Sequence, residues 1–169
     1  NPEFLTEANA INDFKNQNRI IIGGPKKAAS KVRRIFVKVF PKVKIIKTDS
    51  TYAEMVKYVT NSFLATKVSF ANEMYEICDY LKIDYDKVIE YAMHDERLGY
   101  SHWSVPGPDG DFGYGGHCFP KDVKALISVA MELDSDIDPI MLKATNEKNN
   151  KVRKNRDWEK QEGRAVINK

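Results

Sequence analysis

The chain has 169 residues, 42% of them hydrophobic, and a formal net charge of +3. That is enough for one ordinary domain or parts of two, with a packed core. No run approaches the roughly 18 consecutive apolar residues of a membrane span, and so mild a net charge neither demands a nucleic-acid partner nor excludes an anionic small molecule. Two cysteines, Cys78 and Cys118, make no disulfide framework, so a reducing cytoplasm is the expected setting. The opening Asn1-Pro2-Glu3-Phe4 and the β-like run at 163–169 both read as cut ends, which suggests the middle of a larger protein.

In chain order, Arg19-Ile20-Ile21-Ile22-Gly23-Gly24 predicts a short buried strand. Ala28, Ala29, Val32, Ile35, Phe36 and Val39 then have the spacing of an amphipathic helix that presents Lys and Arg outward and ends at Pro41. Lys44-Ile45-Ile46-Lys47-Thr48 predicts a second strand, giving a β-α-β unit with a parallel sheet. Asp49, Ser50 and Thr51 offer caps, with Thr51 and Glu54 spaced as a capping box. No proline or glycine follows until past Lys82, so one helix of roughly 48 Å is predicted. Val56, Val59, Phe63, Leu64, Val68, Phe70, Met74 and Ile77 place apolar residues on nearly every side of it. Such a helix is expected at the centre of a bundle or at a subunit interface. Cys78 belongs to this apolar pattern and reads as a small core hydrophobe.

Lys57 and Asn61 stand four apart on that helix and share a face. A solvent-facing lysine paired with Glu54 is the ordinary reading. On a central helix, however, both polar groups need partners in a polar pocket. Asp84 caps a helix over 85–94, and Asp95-Glu96-Arg97-Leu98-Gly99 ends it. Residues 100–116 form a long loop rich in proline and glycine, whose Trp103, Phe112 and Tyr114 argue for an ordered, functional segment. A last polar helix is expected from Ile140 toward Trp158 as an exposed connector.

Gly113-Tyr114-Gly115-Gly116-His117-Cys118-Phe119-Pro120-Lys121-Asp122 is the most informative stretch. Pro120 fits the first position of a helix and Asp122 its first turn, with Val123, Leu126, Ile127 and Ala130 continuing at helical spacing. A cysteine at a helix N-terminus beside Lys121 has the setting of a reactive nucleophile, and the glycines let a ligand approach the backbone. Other motifs fail. No G-x-G-x-x-G follows a predicted strand, a calcium loop from Asp109 would end on Pro120, and the histidines and cysteines lack zinc spacing. The lysine-rich runs carry little aromatic interleaving, so nucleic-acid binding is a minority reading.

Four segments together carry a resemblance: Asn1-Pro2-Glu3-Phe4-Leu5-Thr6-Glu7; Ala53-Glu54-Met55-Val56-Lys57-Tyr58-Val59-Thr60-Asn61-Ser62-Phe63-Leu64-Ala65; Asp95-Glu96-Arg97-Leu98-Gly99; and Gly115-Gly116-His117-Cys118-Phe119-Pro120-Lys121-Asp122. In this order and spacing they resemble the UDP-glucose/GDP-mannose dehydrogenase family. The resemblance implies a mainly α fold with a short β-α-β start. Its core is a long-central-helix domain, similar to the C-terminal domain of 6-phosphogluconate dehydrogenase, attached to the tail of a Rossmann domain. Residues 1–48 would end an NAD-binding Rossmann domain, 49–150 would form the central dimerisation and catalytic domain, and 151–169 would lead toward a UDP-binding domain.

The implied chemistry is an NAD-dependent four-electron oxidation of UDP-glucose to UDP-glucuronate, through a thiohemiacetal and a thioester on Cys118. The resemblance gives Lys57 and Asn61 the stabilisation of oxyanions, Asp122 the hydrolytic water and Glu3 acid–base work. It gives substrate contacts to Phe4, Leu5, Glu7, Arg97, Phe112, Gly113, Tyr114 and Gly115, and places Glu7, Cys118 and Lys121 near NAD. It implies a homodimer or higher homo-oligomer through the long helix, without metal, nucleic acid or membrane. The alternatives are GDP-mannose as substrate, or a non-catalytic helical interaction or nucleic-acid-binding module on the same scaffold.

Overall fold

The computed structural model describes residues 1–6, 9–134 and 136–160, so Glu7 and the β-like run at 163–169 lie outside the described residues. The fold is mainly helical, with one two-stranded parallel sheet. It divides into two compact units, one from Asn1 to Thr60 and one from Asn61 onward. No helix among the described residues is long and apolar enough to cross a membrane.

The first unit is the expected β-α-β. Strand β1 (Arg19–Gly23) pairs in parallel with β2 (Lys44–Thr48), Ile20 opposite Ile45 and Ile22 opposite Lys47, after a short helix α1 (Ala10–Lys15). Helix α2 (Lys26–Val39) makes the crossover and packs Ala29 and Phe36 over Ile20 and Ile22. Its buried stripe is narrower than the apolar pattern suggests, because Ile35 and Val39 remain 65% and 64% exposed. Gly23 is required by close approach: a side chain there would overlap Ala53 and the backbone at Asp49 and Ser50.

Helix α3 (Ser50–Leu81) has the predicted length of 32 residues. Its cap differs from the expected Thr51–Glu54 box. The Asp49 carboxylate accepts the Tyr52 amide at 3.1 Å, which satisfies one of the four N–H groups a helix start leaves open. In the second unit α3 is sided rather than buried all round. Ser62, Ala65, Ser69, Ala71, Asn72 and Cys78 form the buried face, whereas Phe63, Phe70, Ile77 and Tyr80 point outward. Small residues let neighbouring segments approach this helix closely, and the large apolar residues are left as an external stripe.

Helix α4 (Tyr85–Ala92) starts as expected on Asp84, whose carboxylate accepts the Asp86 and Lys87 amides. It ends earlier than 94, in turns leading to a short 3-10 turn, Glu96–Leu98. Tyr85, Cys78, Ala71 and Val105 share a core with Trp103 and Phe112, so the long loop is anchored by its own aromatics. The Tyr85 hydroxyl donates to the Trp103 carbonyl at 2.6 Å, and burial pushes its phenol up to about 12.

Helix α5 (Cys118–Leu133) begins two residues before the expected start. Cys118 is therefore its first residue, and Pro120 its third. Proline is tolerated there because the N–H groups of the first turn have no partner within the helix. Asp122 is the fifth residue, past the first turn. Helix α6 (Ile140–Val152) stops well before Trp158 and is not an exposed connector. Thr145, Asn149, Arg153 and Trp158 are all buried, and α6 is tied to α3 by Ser69 Oγ donating to the Thr145 carbonyl at 3.0 Å. A short 3-10 turn, Asp157–Lys160, carries Trp158 inward.

Candidate active site

Among the candidate residues, Asp122 is the buried carboxylate. It is 1% exposed, and a buried carboxylate is stable only when paired and hydrogen-bonded. The Lys121 ammonium pairs with Oδ1. The Asn61 amide donates to Oδ2 at 2.6 Å, joining residues 61 positions apart in the sequence. Cys118 lies one helical turn before Asp122 and is half-buried. A thiol, a lysine, a carboxylate and an amide thus share one end of α5.

Residues 113–116 form a strap that leads into this helix. Gly113 and Gly116 have φ of 68° and 71°, a left-handed backbone that glycine adopts at little cost. Side chains from distant segments take up the strap's backbone groups. The Gly113 amide donates to Asn72 Oδ1 at 3.1 Å. The Tyr114 amide donates to Asn149 Oδ1 at 2.7 Å, and Asn149 Nδ2 donates back to the Tyr114 carbonyl at 3.0 Å. The Gly116 amide is shared by both carboxylate oxygens of Asp157, at 3.1 and 3.0 Å. The Tyr114 ring is buried with Ala65 and Val123, edge-on to Phe119, and burial pushes its phenol upward.

Behind the strap sits Arg153, with its side chain 1% exposed. Its guanidinium bridges Asp109, Asp111 and Asp157, and Nε donates to the Asn155 carbonyl at 2.8 Å. A side chain at position 115 would overlap it, which is why Gly115 has none. The Arg153 hydrogen bond holds the Asp109 carboxyl below the usual range, and the Asn155 amide does the same for Asp111. A lowered folded value means stability present above the unfolded pKa of about 3.9 and lost as pH falls through the folded values. Acid titration is therefore expected to expose buried Trp158 below about pH 4, with a smaller pH dependence in Asp111→Asn. Tryptophan fluorescence reads this, and a variant with an unchanged pH profile would remove Asp111 from the effect.

The other candidate residues are distributed as follows. Lys57 stands on α3 one turn before Asn61, within the first unit. Glu3 is exposed in that unit, and the Arg19 guanidinium lies 4.3 Å from the centre of the Phe4 ring, with Leu5 beside it in sequence. Arg97 is 88% exposed and held by Asp95, its Nε donating at 2.8 Å. The turn carrying it is fixed from below: Lys67 Nζ donates to the Leu98 and Gly99 carbonyls, both at 2.8 Å, and burial lowers its pKa. Phe112 packs edge-on against Tyr75 at 5.4 Å. Of the residues expected near NAD, Cys118 and Lys121 are both half-buried at the start of α5, and no pyrophosphate cradle of G-x-G-x-x-G type occurs among the described residues. Sequence reasoning overlooked Asn72, Asn149, Arg153 and Asp157. The available signal was a set of hydrogen-bonding residues on helices whose other faces must pack.

The family model for the UDP-glucose/GDP-mannose dehydrogenase family, central domain, matches residues 51–151. A UDP-glucose 6-dehydrogenase of Bacillus subtilis, YwqF, is 40% identical over 151 residues, covering 89% of this chain and 32% of its own length. The chain thus spans about a third of the length of the curated relatives it matches. Among solved structures, a UDP-glucose dehydrogenase from Pyrobaculum islandicum superposes with a TM-score of 0.77 at 33% identity, over 89% of this chain and 33% of that one. A GDP-mannose dehydrogenase from Pseudomonas aeruginosa gives 0.52 at 32% identity, over 90% and 34%. With its central domain matched over most of the second unit and its folded neighbours drawn from the same enzymes, the chain belongs to the UDP-glucose/GDP-mannose dehydrogenase family.

Proposed function

We propose that a full-length protein carrying this chain oxidises UDP-glucose to UDP-glucuronate in the cytoplasm, with two NAD per sugar, through a thioester on Cys118. The observation that carries the reading is the thiol at the first turn of α5, followed by a buried carboxylate that Lys121 and the distant Asn61 both bind. Relatives named UDP-glucose 6-dehydrogenase at 37–40% identity support the substrate.

NAD accepts hydride in both oxidations when bound. The residues of this chain do the rest. Cys118 Sγ adds to the C6 aldehyde left by the first oxidation, and the carbonyl oxygen takes up a proton to give a thiohemiacetal. Loss of hydride and that proton leaves the thioester. Water then attacks the acyl carbon, the C–S bond breaks, and Cys118 regains its thiol as the carboxylate leaves.

Each tetrahedral stage places negative charge on oxygen, where preorganised donors act most strongly. Asn61 retains a second amide N–H besides the one given to Asp122, and Lys57 supplies a cation on the same helix. Asp122 accepts from the attacking water, with Lys121 and Asn61 fixing the position of its carboxylate. Glu3 serves in acid–base transfer. Phe4, Leu5 and Glu7, together with Arg97, Phe112 and the strap backbone at 113–115, contact the sugar nucleotide. Chains pair through α3. The outward stripe of Phe63, Phe70, Ile77 and Tyr80 supports this, and sedimentation of the chain as a monomer at high concentration would contradict it.

The test is a product count. Full-length protein with UDP-glucose should yield about two NADH per sugar and a uronate, as a four-electron oxidation requires. Turnover of GDP-mannose alone would move the substrate to the other branch. No NADH with either would reject the oxidoreductase reading.

A further inference from the structure

We propose that Asn149 and Asp157, with Arg153 behind them, are positioning residues for Cys118. Acting from the C-terminal side of the chain, they hold the 113–116 strap so that the thiol stays partly covered at the first turn of α5. The proposal rests on the preceding reading only in naming Cys118 as the nucleophile.

The contacts run along the strap from Tyr114 to Gly116. Asn149 is 1% exposed and closes a two-bond ring on the Tyr114 backbone, one bond in each direction. Asp157 takes the Gly116 amide with both oxygens, two residues before Cys118. Arg153 fills the space under Gly115 and draws Asp157, Asp109 and Asp111 around one guanidinium. Asp111 in turn accepts the Lys154 and Asn155 amides at 3.1 and 2.8 Å, which closes the circuit between the long loop and the segment after α6. The strap has no sheet or helix of its own, so these side chains supply its backbone partners. Its left-handed glycines would otherwise leave it free to open. Helix α5 starts at Cys118 with no side-chain cap from His117, so the strap is the segment that leads directly into the turn carrying the thiol.

The experiment uses the 169-residue chain and iodoacetamide, with peptide mass spectrometry following Cys118 and Cys78 separately. Cys78 is 5% exposed in a different core cluster and reports loss of the fold. In Asn149→Ala, which removes both bonds to the Tyr114 backbone, Cys118 should alkylate faster by at least about fivefold, the population shift expected for one lost hydrogen bond, and Asp157→Asn, which removes the charge from the Gly116 and Arg153 contacts, should raise its rate too, while Cys78 stays protected. If Asn149→Ala exposes Cys78 as well, the milder Asp157→Asn decides, since it keeps the shape of the side chain. Cys118 rates unchanged or lower in both variants would overturn the proposal, and so would exposure of Cys78 in both. Alkylation is read without substrate or cofactor. A faster Cys118 combined with normal acid production by a Cys118→Ser enzyme would therefore keep the strap and remove the nucleophile.

Discussion

Replacing Cys118 by serine in a full-length protein carrying this chain is expected to lower acid production by at least about a thousandfold. Serine keeps the size and position of the side chain but is a far weaker nucleophile at neutral pH. The first oxidation does not need the thiol, so NADH formed per sugar should fall below two. Cys78→Ser is the matched control. It places a hydroxyl in the cluster of Ala71, Tyr85 and Val105, where it should cost roughly 1–3 kcal/mol of stability yet leave acid production intact. Normal uronate formation by Cys118→Ser would refute the assigned role.

The second large effect is on the fold around the site. Gly113→Ala is expected to destabilise the chain by roughly 3–5 kcal/mol, at the extreme of single substitutions. Two costs combine. Alanine at φ 68° costs about 1–2 kcal/mol from backbone sterics alone. Its methyl group would also overlap Asn149 Oδ1 and press on Val152 Cγ2 at 3.1 Å. Asn149 must then release Tyr114 and leave buried polar groups unpaired, at about 1–3 kcal/mol each. Gly110→Ala isolates the first cost, because φ there is 79° and a methyl group meets nothing within 4 Å. The difference between the two variants in urea unfolding therefore measures the overlap. Equal midpoints would show that the strap does not depend on Asn149.

Much of the fold was legible because its signals are local. A β-branched run closed by glycine made β1, and the absence of breakers from Ser50 to Leu81 set the length of α3. Asp84 announced α4. The errors have a common origin in tertiary packing. The large apolar residues of α3 suggested burial on all sides, but Ser62, Ala65, Ser69 and Asn72 form the packed face, and their small size is what permits the approach. Helix α6 looked solvated because it is rich in lysine and asparagine. Asn149 and Arg153 are nevertheless buried, since their partners are loop backbone groups and carboxylates that no periodicity in the sequence reveals. The start of α5 was misplaced by two residues because proline suits several positions of a first turn equally well. Within the site, Cys118 and Asp122 could be found from their own stretch. The bond from Asn61 to Asp122 required the fold.

The most direct measurement of the central claim is covalent. Full-length protein carrying Asp122→Asn, mixed with UDP-glucose and NAD and quenched in acid, should accumulate a uronyl thioester on the peptide that contains Cys118. Hydrolysis is the step that loses its carboxylate, while the thiol is left in place. Peptide mass spectrometry that finds this adduct on Cys118, cleaved by hydroxylamine, is the result this account predicts. Continued NADH formation with no adduct at Cys118, or with the adduct on another residue, would contradict it.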